Sequence, residues 1–129
     1  MIVPLSGVYH YNNYMLKAKV FGFVQGVNYR VYAKKSADLK GIKGYVKNLS
    51  DGNVEVVADG TKEALDSFVE DLKKGPMFAK VSRVDYSFSS KDGNFMSFEI
   101  VRDSNYLVDQ IKAYYRFLAN IISNARSSK

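Results

Sequence analysis

The period of the apolar residues switches several times along this chain. Leu16, Ala18 and Val20 alternate with Lys17 and Lys19, the period-two signature of a half-buried strand. Arg30 to Lys40 contains neither Gly nor Pro, carries Ala33 and Ala37 four apart and stops at Gly41, which predicts a helix with a glycine C-terminus. Gly44–Leu49 and Asn53–Ala58 are two short strands, and Ser50-Asp51-Gly52 between them is a tight-turn signal, so a hairpin is expected. Thr61 is placed to cap a second helix whose apolar stripe is Ala64, Leu65, Phe68, Val69 and Leu72, with Gly75-Pro76 ending it. Val84, Tyr86 and Phe88 alternate with Arg83, Asp85 and Ser87. After a turn at Asp92-Gly93-Asn94, Met96, Phe98 and Ile100 alternate again. The order is strand, helix, strand, strand, helix, strand, strand. It predicts an α+β fold of the ferredoxin-like split βαβ plan (βαββαβ), an antiparallel sheet with two helices on one face.

Two flanking segments differ in texture. Residues 1–14 hold no Lys, Arg, Asp or Glu and include Tyr9, Tyr11 and Tyr14. They read as an N-terminal extension, with an extra edge strand as one option, ahead of a core domain over 15–102. In residues 103–129, Leu107, Ile111, Tyr114, Leu118, Ile121 and Ala125 recur at spacings of four and three, and Val108, Tyr115, Phe117 and Ile122 widen the stripe. That predicts an extra C-terminal amphipathic helix with near-heptad spacing. A face this apolar must be covered, either by the open face of its own sheet or by a second copy of the chain, which makes a homo-oligomer through residues 103–129 an expected arrangement.

Composition narrows the chemistry. The 129 residues are 47% hydrophobic and 25% charged, ordinary for one globular domain with a real core. There is no cysteine and the sole histidine is His10, so disulfides, thiolate metal sites and cysteine nucleophiles are excluded and a three-histidine metal site or a Ser-His-Asp triad is hard to build. No apolar run is long enough to span a bilayer, and residues 1–14 carry no Lys or Arg to begin a secretory signal. A cytoplasmic protein without a membrane partner is expected. The net charge of +6 suits a nucleic acid, a small phosphorylated substrate or plain solubility.

The chemistry-bearing residues lie in two runs. Gly22-Phe23-Val24-Gln25-Gly26-Val27-Asn28-Tyr29-Arg30 has the form of an anion cradle. Backbone N–H groups freed at a loop and helix start favour a negative ligand. Gly22 and Gly26 allow close backbone approach, and Arg30 offers a planar fork for two phosphate oxygens. Gly44-Tyr45-Val46-Lys47-Asn48-Leu49-Ser50-Asp51-Gly52-Asn53-Val54, ending at Gly60, carries the second. Asparagine is disfavoured in strands. Asn48 either bonds its own turn or supplies a neutral amide that orients a water molecule. Lys43 and Lys47 read as solvated strand lysines.

Together the runs resemble the two signatures of the acylphosphatase family, over about residues 15–102. Phe23 and Tyr29 are mild departures in the first; Tyr29 stands where phenylalanine or histidine is usual. In the second, Leu49 replaces a frequent hydroxyl residue. The resemblance implies an enzyme that hydrolyses the carboxyl–phosphate bond of a small acyl phosphate to carboxylate and inorganic phosphate, without cofactor or metal. It implies substrate binding by the N–H groups of Gln25, Gly26, Val27, Asn28, Tyr29 and Arg30, with catalysis by the Arg30 guanidinium and by Asn48 aiming water. The alternative is a non-catalytic acylphosphatase-like module that binds phosphate or RNA. Lys19-Val20-Phe21-Gly22-Phe23-Val24 partly mimics an RNA-recognition motif, but it falls on the first strand, with Val20 and Gly26 where glycine and an aromatic belong, so no nucleic-acid partner is expected. Larger carbamoyl-transferring hydrogenase-maturation proteins begin with such a domain. This chain lacks their zinc-finger extension and is not expected to be a fragment of one. Asn48-Leu49-Ser50 also matches a glycosylation acceptor, taken as chance.

Overall fold

The computed structural model describes residues 13–90, 93–102 and 106–127, the side chains of 106–113 and 125–127 excepted. Five strands form one sheet in the order β4-β1-β3-β2-β5. β1 (Asn13–Phe23) leads into helix α1 (Tyr29–Leu39), the hairpin β2 (Lys43–Asn48) and β3 (Val54–Thr61), helix α2 (Lys62–Lys74), edge strand β4 (Lys80–Ser89), short β5 (Phe98–Val101) and a long helix α3 (Tyr106–Ser127). β1 starts at Asn13, so the expected N-terminal extension overlaps the first strand by two residues; residues 1–12 lie outside the described part.

The alternation read from the sequence sorts the two faces of the sheet. Leu16 and Val20 of β1, Val46 of β2 and Val54 and Val56 of β3 are fully buried beneath the helices. α1 contributes Tyr29, Ala33 and Ala37, and α2 contributes Leu65, Phe68, Val69 and Leu72. Phe68 meets Phe98 of β5 edge-on, with ring centroids 5.8 Å apart. Each such large side chain contributes about 1.5–3 kcal/mol by leaving water. Thr61 does cap α2, its hydroxyl accepting from the Ala64 N–H at 3.2 Å. At the thin edge, lysines of α2 lie over the rings of Tyr86 and Phe88: Lys73 Nζ lies 5.7 Å from the Tyr86 ring and Lys62 Nζ 4.4 Å from that of Phe88, which also packs against the core.

One edge departs from an all-antiparallel sheet. β5 runs parallel to β2, with Lys47 opposite Val101. The direction follows from the connectivity. β1 and β2 both run antiparallel to β3 and β4 runs antiparallel to β1, so a strand that reverses from β4 and joins the edge beyond β2 must point the same way as β2. The turn signal around Gly93 therefore does not make a hairpin. The chain crosses to the opposite edge, where the Gly93 N–H donates to Asp59 Oδ2 at 2.7 Å and the Phe95 ring packs on Tyr45.

The sheet face away from α1 and α2 is open and carries Lys17, Lys19, Phe21, Tyr45, Lys47, Glu55 and Asp85. On α3 the described apolar side chains Tyr114, Tyr115, Phe117, Ile121 and Ile122 are 49–65% exposed. Among the described residues, no helix is long and apolar enough to cross a membrane.

Candidate active site

The segment between β1 and α1 alternates its side chains. Val24 is buried and Val27 packs against the core, while Gly26 and Asn28 face outward. Gly26 (φ +75°) and Asn28 (φ +69°) both take the left-handed conformation, which turns successive N–H groups toward one side of the chain. Asn28 is the residue before α1 and makes no side-chain cap, so it leaves the N–H groups of the first helical turn open to an anion. Gly22 does something else. Its φ of +132° sits at a bulge in the β1–β4 pairing, and a Cβ there would collide with the Lys80 carbonyl. It serves the approach of β4, not that of a ligand.

A cleft of about 270 Å³ opens beside this loop, lined by Val24, Gly26, Asn28, Tyr29, Arg30, Val31, Ile100 and Arg102. Four of the six residues expected to hold the ligand therefore meet in it. The other two do not. Val27 points inward. Gln25 turns toward the hairpin, where its Nε2 donates to the carbonyls of Leu49 (2.7 Å) and Asn53 (2.9 Å). Those carbonyls belong to the turn that follows Asn48, so Gln25 ties the loop to the second run. The turn is braced again at Asp51, which accepts from the Asn53 N–H and pairs with Lys19 at 2.7 Å. These contacts, the Lys19 hydrogen bond foremost, hold the Asp51 carboxyl below the usual range.

Asn48 ends β2 and is not among the lining residues. Its register places it beside the cleft: Lys47 pairs with Val101, so Asn48 stands abreast of Arg102. Its Oδ1 is buried and has no hydrogen-bond partner, which costs free energy unless the bound state uses it. Tyr29 has a structural side chain. It is 1% exposed, and its hydroxyl donates to the Leu72 carbonyl at 2.7 Å. Burial, then the neighbouring Tyr32, push its pKa far above the ordinary tyrosine value. The extra hydroxyl, relative to phenylalanine, is thus satisfied by the end of α2 and leaves the loop undisturbed. Among the described residues, no three His, Cys, Asp or Glu side chains converge as a metal site requires. Sequence reasoning did not find Ile100 and Arg102; only the parallel β2–β5 pairing brings them to the cleft.

The acylphosphatase family profile matches residues 16–100. The chain belongs to the acylphosphatase family. It is 50% identical over 78 residues to an acylphosphatase of Thermus thermophilus, covering 60% of this chain and 89% of that protein. It is 45% identical over 87 residues to one of Acaryochloris marina, covering 67% and 92%. The crystal structure of acylphosphatase from Bacillus subtilis superposes with a TM-score of 0.67 at 39% identity, covering 68% of this chain and 98% of the other. Relatives of this kind are matched almost throughout, and α3 lies beyond the matched segment.

Proposed function

We propose that this chain is an acylphosphatase that hydrolyses small acyl phosphates at the cleft between the β1–α1 loop and the end of β2. The observation that carries the reading is the joining of two separate motif runs by the Gln25 side chain, which sets an anion-binding loop and Asn48 in one unit. N–H groups of the loop and first turn, with the Arg30 guanidinium, hold the phosphoryl oxygens. Asn48 orients a water in line with the leaving carboxylate. The water oxygen bonds to phosphorus, the bond from phosphorus to the carboxylate oxygen breaks, and both water hydrogens end on phosphate: RCO–OPO₃²⁻ plus H₂O gives RCOO⁻ plus H₂PO₄⁻. A carboxylate leaves readily, so positioning and charge stabilisation suffice. No metal is needed, because the backbone dipoles and the guanidinium supply the positive field. The enzyme is placed in the cytoplasm, as expected of a sequence with no apolar run long enough to span a bilayer.

Nucleic acid is not the partner. Three cations of the open sheet face are matched by carboxylates: Lys19 pairs with Asp51, Lys47 with Glu55 and Arg83 with Asp85. α3 pairs two copies of the chain. Tyr114, Tyr115, Phe117, Ile121 and Ile122 are 49–65% exposed, and the four-and-three spacing from Leu107 to Ala125 makes a self-complementary seam. Sedimentation of the full chain should give a dimer, and of a chain ending at Arg102 a monomer; two monomers contradict the pairing.

The test of the activity is benzoyl phosphate hydrolysis by the full chain with EDTA present. Turnover is expected, and Arg30→Ala should lower kcat/KM by roughly 100- to 1,000-fold, comparable to losing one oxyanion donor. Phosphate binding without turnover would leave the binding-module alternative standing.

A further inference from the structure

We propose that Arg102 is a second cation of the phosphate site, a substrate-binding residue that works opposite Arg30. The inference rests on the acylphosphatase reading and adds a residue to it. Arg102 follows β5 directly. The parallel register carries it past Val101 to stand abreast of Asn48, and it lines the same small cleft as Arg30. The two arginines thus border one cavity from different elements, the first turn of α1 and the end of β5.

The charge of the cleft is one-sided. None of the residues lining it is acidic, and among the described residues neither arginine is ion-paired. Two such cations bordering about 270 Å³ repel each other until an anion enters. An acyl phosphate at neutral pH carries two negative charges on its phosphoryl oxygens. Arg30 matches one, and Arg102 matches the other. Each guanidinium can offer paired N–H donors to phosphate oxygens. Inorganic phosphate, the product, presents the same oxygens and is held by the same pair.

Arg102 also lies beyond the segment that the family profile matches, which ends at residue 100.

The experiment uses the full chain with Arg102→Met and Arg102→Lys. Inorganic phosphate binding is titrated calorimetrically, and benzoyl phosphate kinetics are run beside it. Arg102 is exposed, and an unchanged melting temperature checks that each variant folds. Arg102→Met should weaken phosphate binding and raise KM by about tenfold, the loss of one charge-assisted contact, while kcat moves by less than about threefold. Arg102→Lys should recover most of the affinity, since it restores the charge without the fork. Phosphate affinity and KM within about twofold of wild type in Arg102→Met overturn the proposal. If wild type hydrolyses benzoyl phosphate and the variant binds phosphate normally, only the role of Arg102 falls. A wild type that neither binds phosphate nor turns over overturns both readings.

Discussion

Replacing Gln25 separates the two halves of the site without touching the ligand's charge. Its Nε2 makes two part-buried hydrogen bonds, at 2.7 Å to the Leu49 carbonyl and 2.9 Å to that of Asn53. Both acceptors are already engaged in the turn, Asn53 O by the Leu49 N–H at 2.8 Å and Leu49 O by the Gly52 N–H at 3.2 Å. In Gln25→Ala neither carbonyl is orphaned, so the loss is close to two net hydrogen bonds, about 1–3 kcal/mol together. For a domain of this size that lowers Tm by about 5–15 °C. Gln25→Glu is the sharper test. A carboxylate facing two carbonyl oxygens has no proton to donate, and both contacts become repulsive. Tm should therefore fall in the order wild type, Ala, Glu, although Glu is nearly the same shape as Gln. Activity follows the same order. Asn48 sits at the foot of the turn that Gln25 holds, and a displacement near 1 Å costs up to about 100-fold in rate, so kcat should fall by more than phosphate affinity. Thermal unfolding by circular dichroism and benzoyl phosphate hydrolysis read the two effects. A Gln25→Glu chain as stable and as active as wild type would refute the bridge.

Three further outcomes follow from the same geometry. Tyr29→Phe removes the buried bond to the Leu72 carbonyl and should cost about 1–2 kcal/mol at pH 7; because the folded hydroxyl titrates well above its unfolded value of about 10, its contribution is complete below that pH and is lost as pH rises past it, so denaturant titrations should show the gap between wild type and variant closing in strong alkali. For Asp71, burial raises the carboxyl's pKa, but the Lys40 ammonium at 2.7 Å and the Ser36 hydroxyl outweigh it and hold the group below the usual range. Its contribution is present above the unfolded value near 3.9 and lost as pH falls below it, so Asp71→Asn should cost about 0.5–1 kcal/mol at pH 7 in this partly exposed pair and flatten the acid limb of the stability curve; an unchanged acid limb contradicts the assignment. Asn48→Ala should lower kcat by roughly 100-fold, as for a lost positioning group, and leave the Kd for phosphate nearly unchanged; a collapse of phosphate affinity with normal turnover would assign Asn48 to binding instead.

Much of the fold is legible because its signals are local. Ser50-Asp51-Gly52 marks the hairpin, Thr61 and Gly75-Pro76 bracket α2, and Leu16, Ala18 and Val20 alternate onto the core. Arg30 and Asn48 stand out by residue type and spacing. What stays hidden depends on contacts between distant elements. The parallel pairing of β5 with β2 is set by which edge the chain returns to, and nothing within Phe98–Val101 encodes that. Arg102 reaches the cleft only through this pairing, and so reads in the sequence as a polar residue after a strand. Gln25 looks like one more member of the anion loop, yet its side chain serves a turn more than twenty residues away. In α3 the spacing of the apolar stripe is plain, but spacing does not say whether the sheet or a second chain covers it; the exposed Tyr115 and Phe117 favour the second chain.

A crystal structure of the full chain with inorganic phosphate bound tests the central claim most directly. Phosphate oxygens should lie within hydrogen-bond distance of the N–H groups between Gln25 and Arg30 and of the Arg30 guanidinium, with the Asn48 carboxamide bonded to a water about 3 Å from phosphorus. Phosphate held elsewhere, or held there with Asn48 turned away from it, would contradict the account.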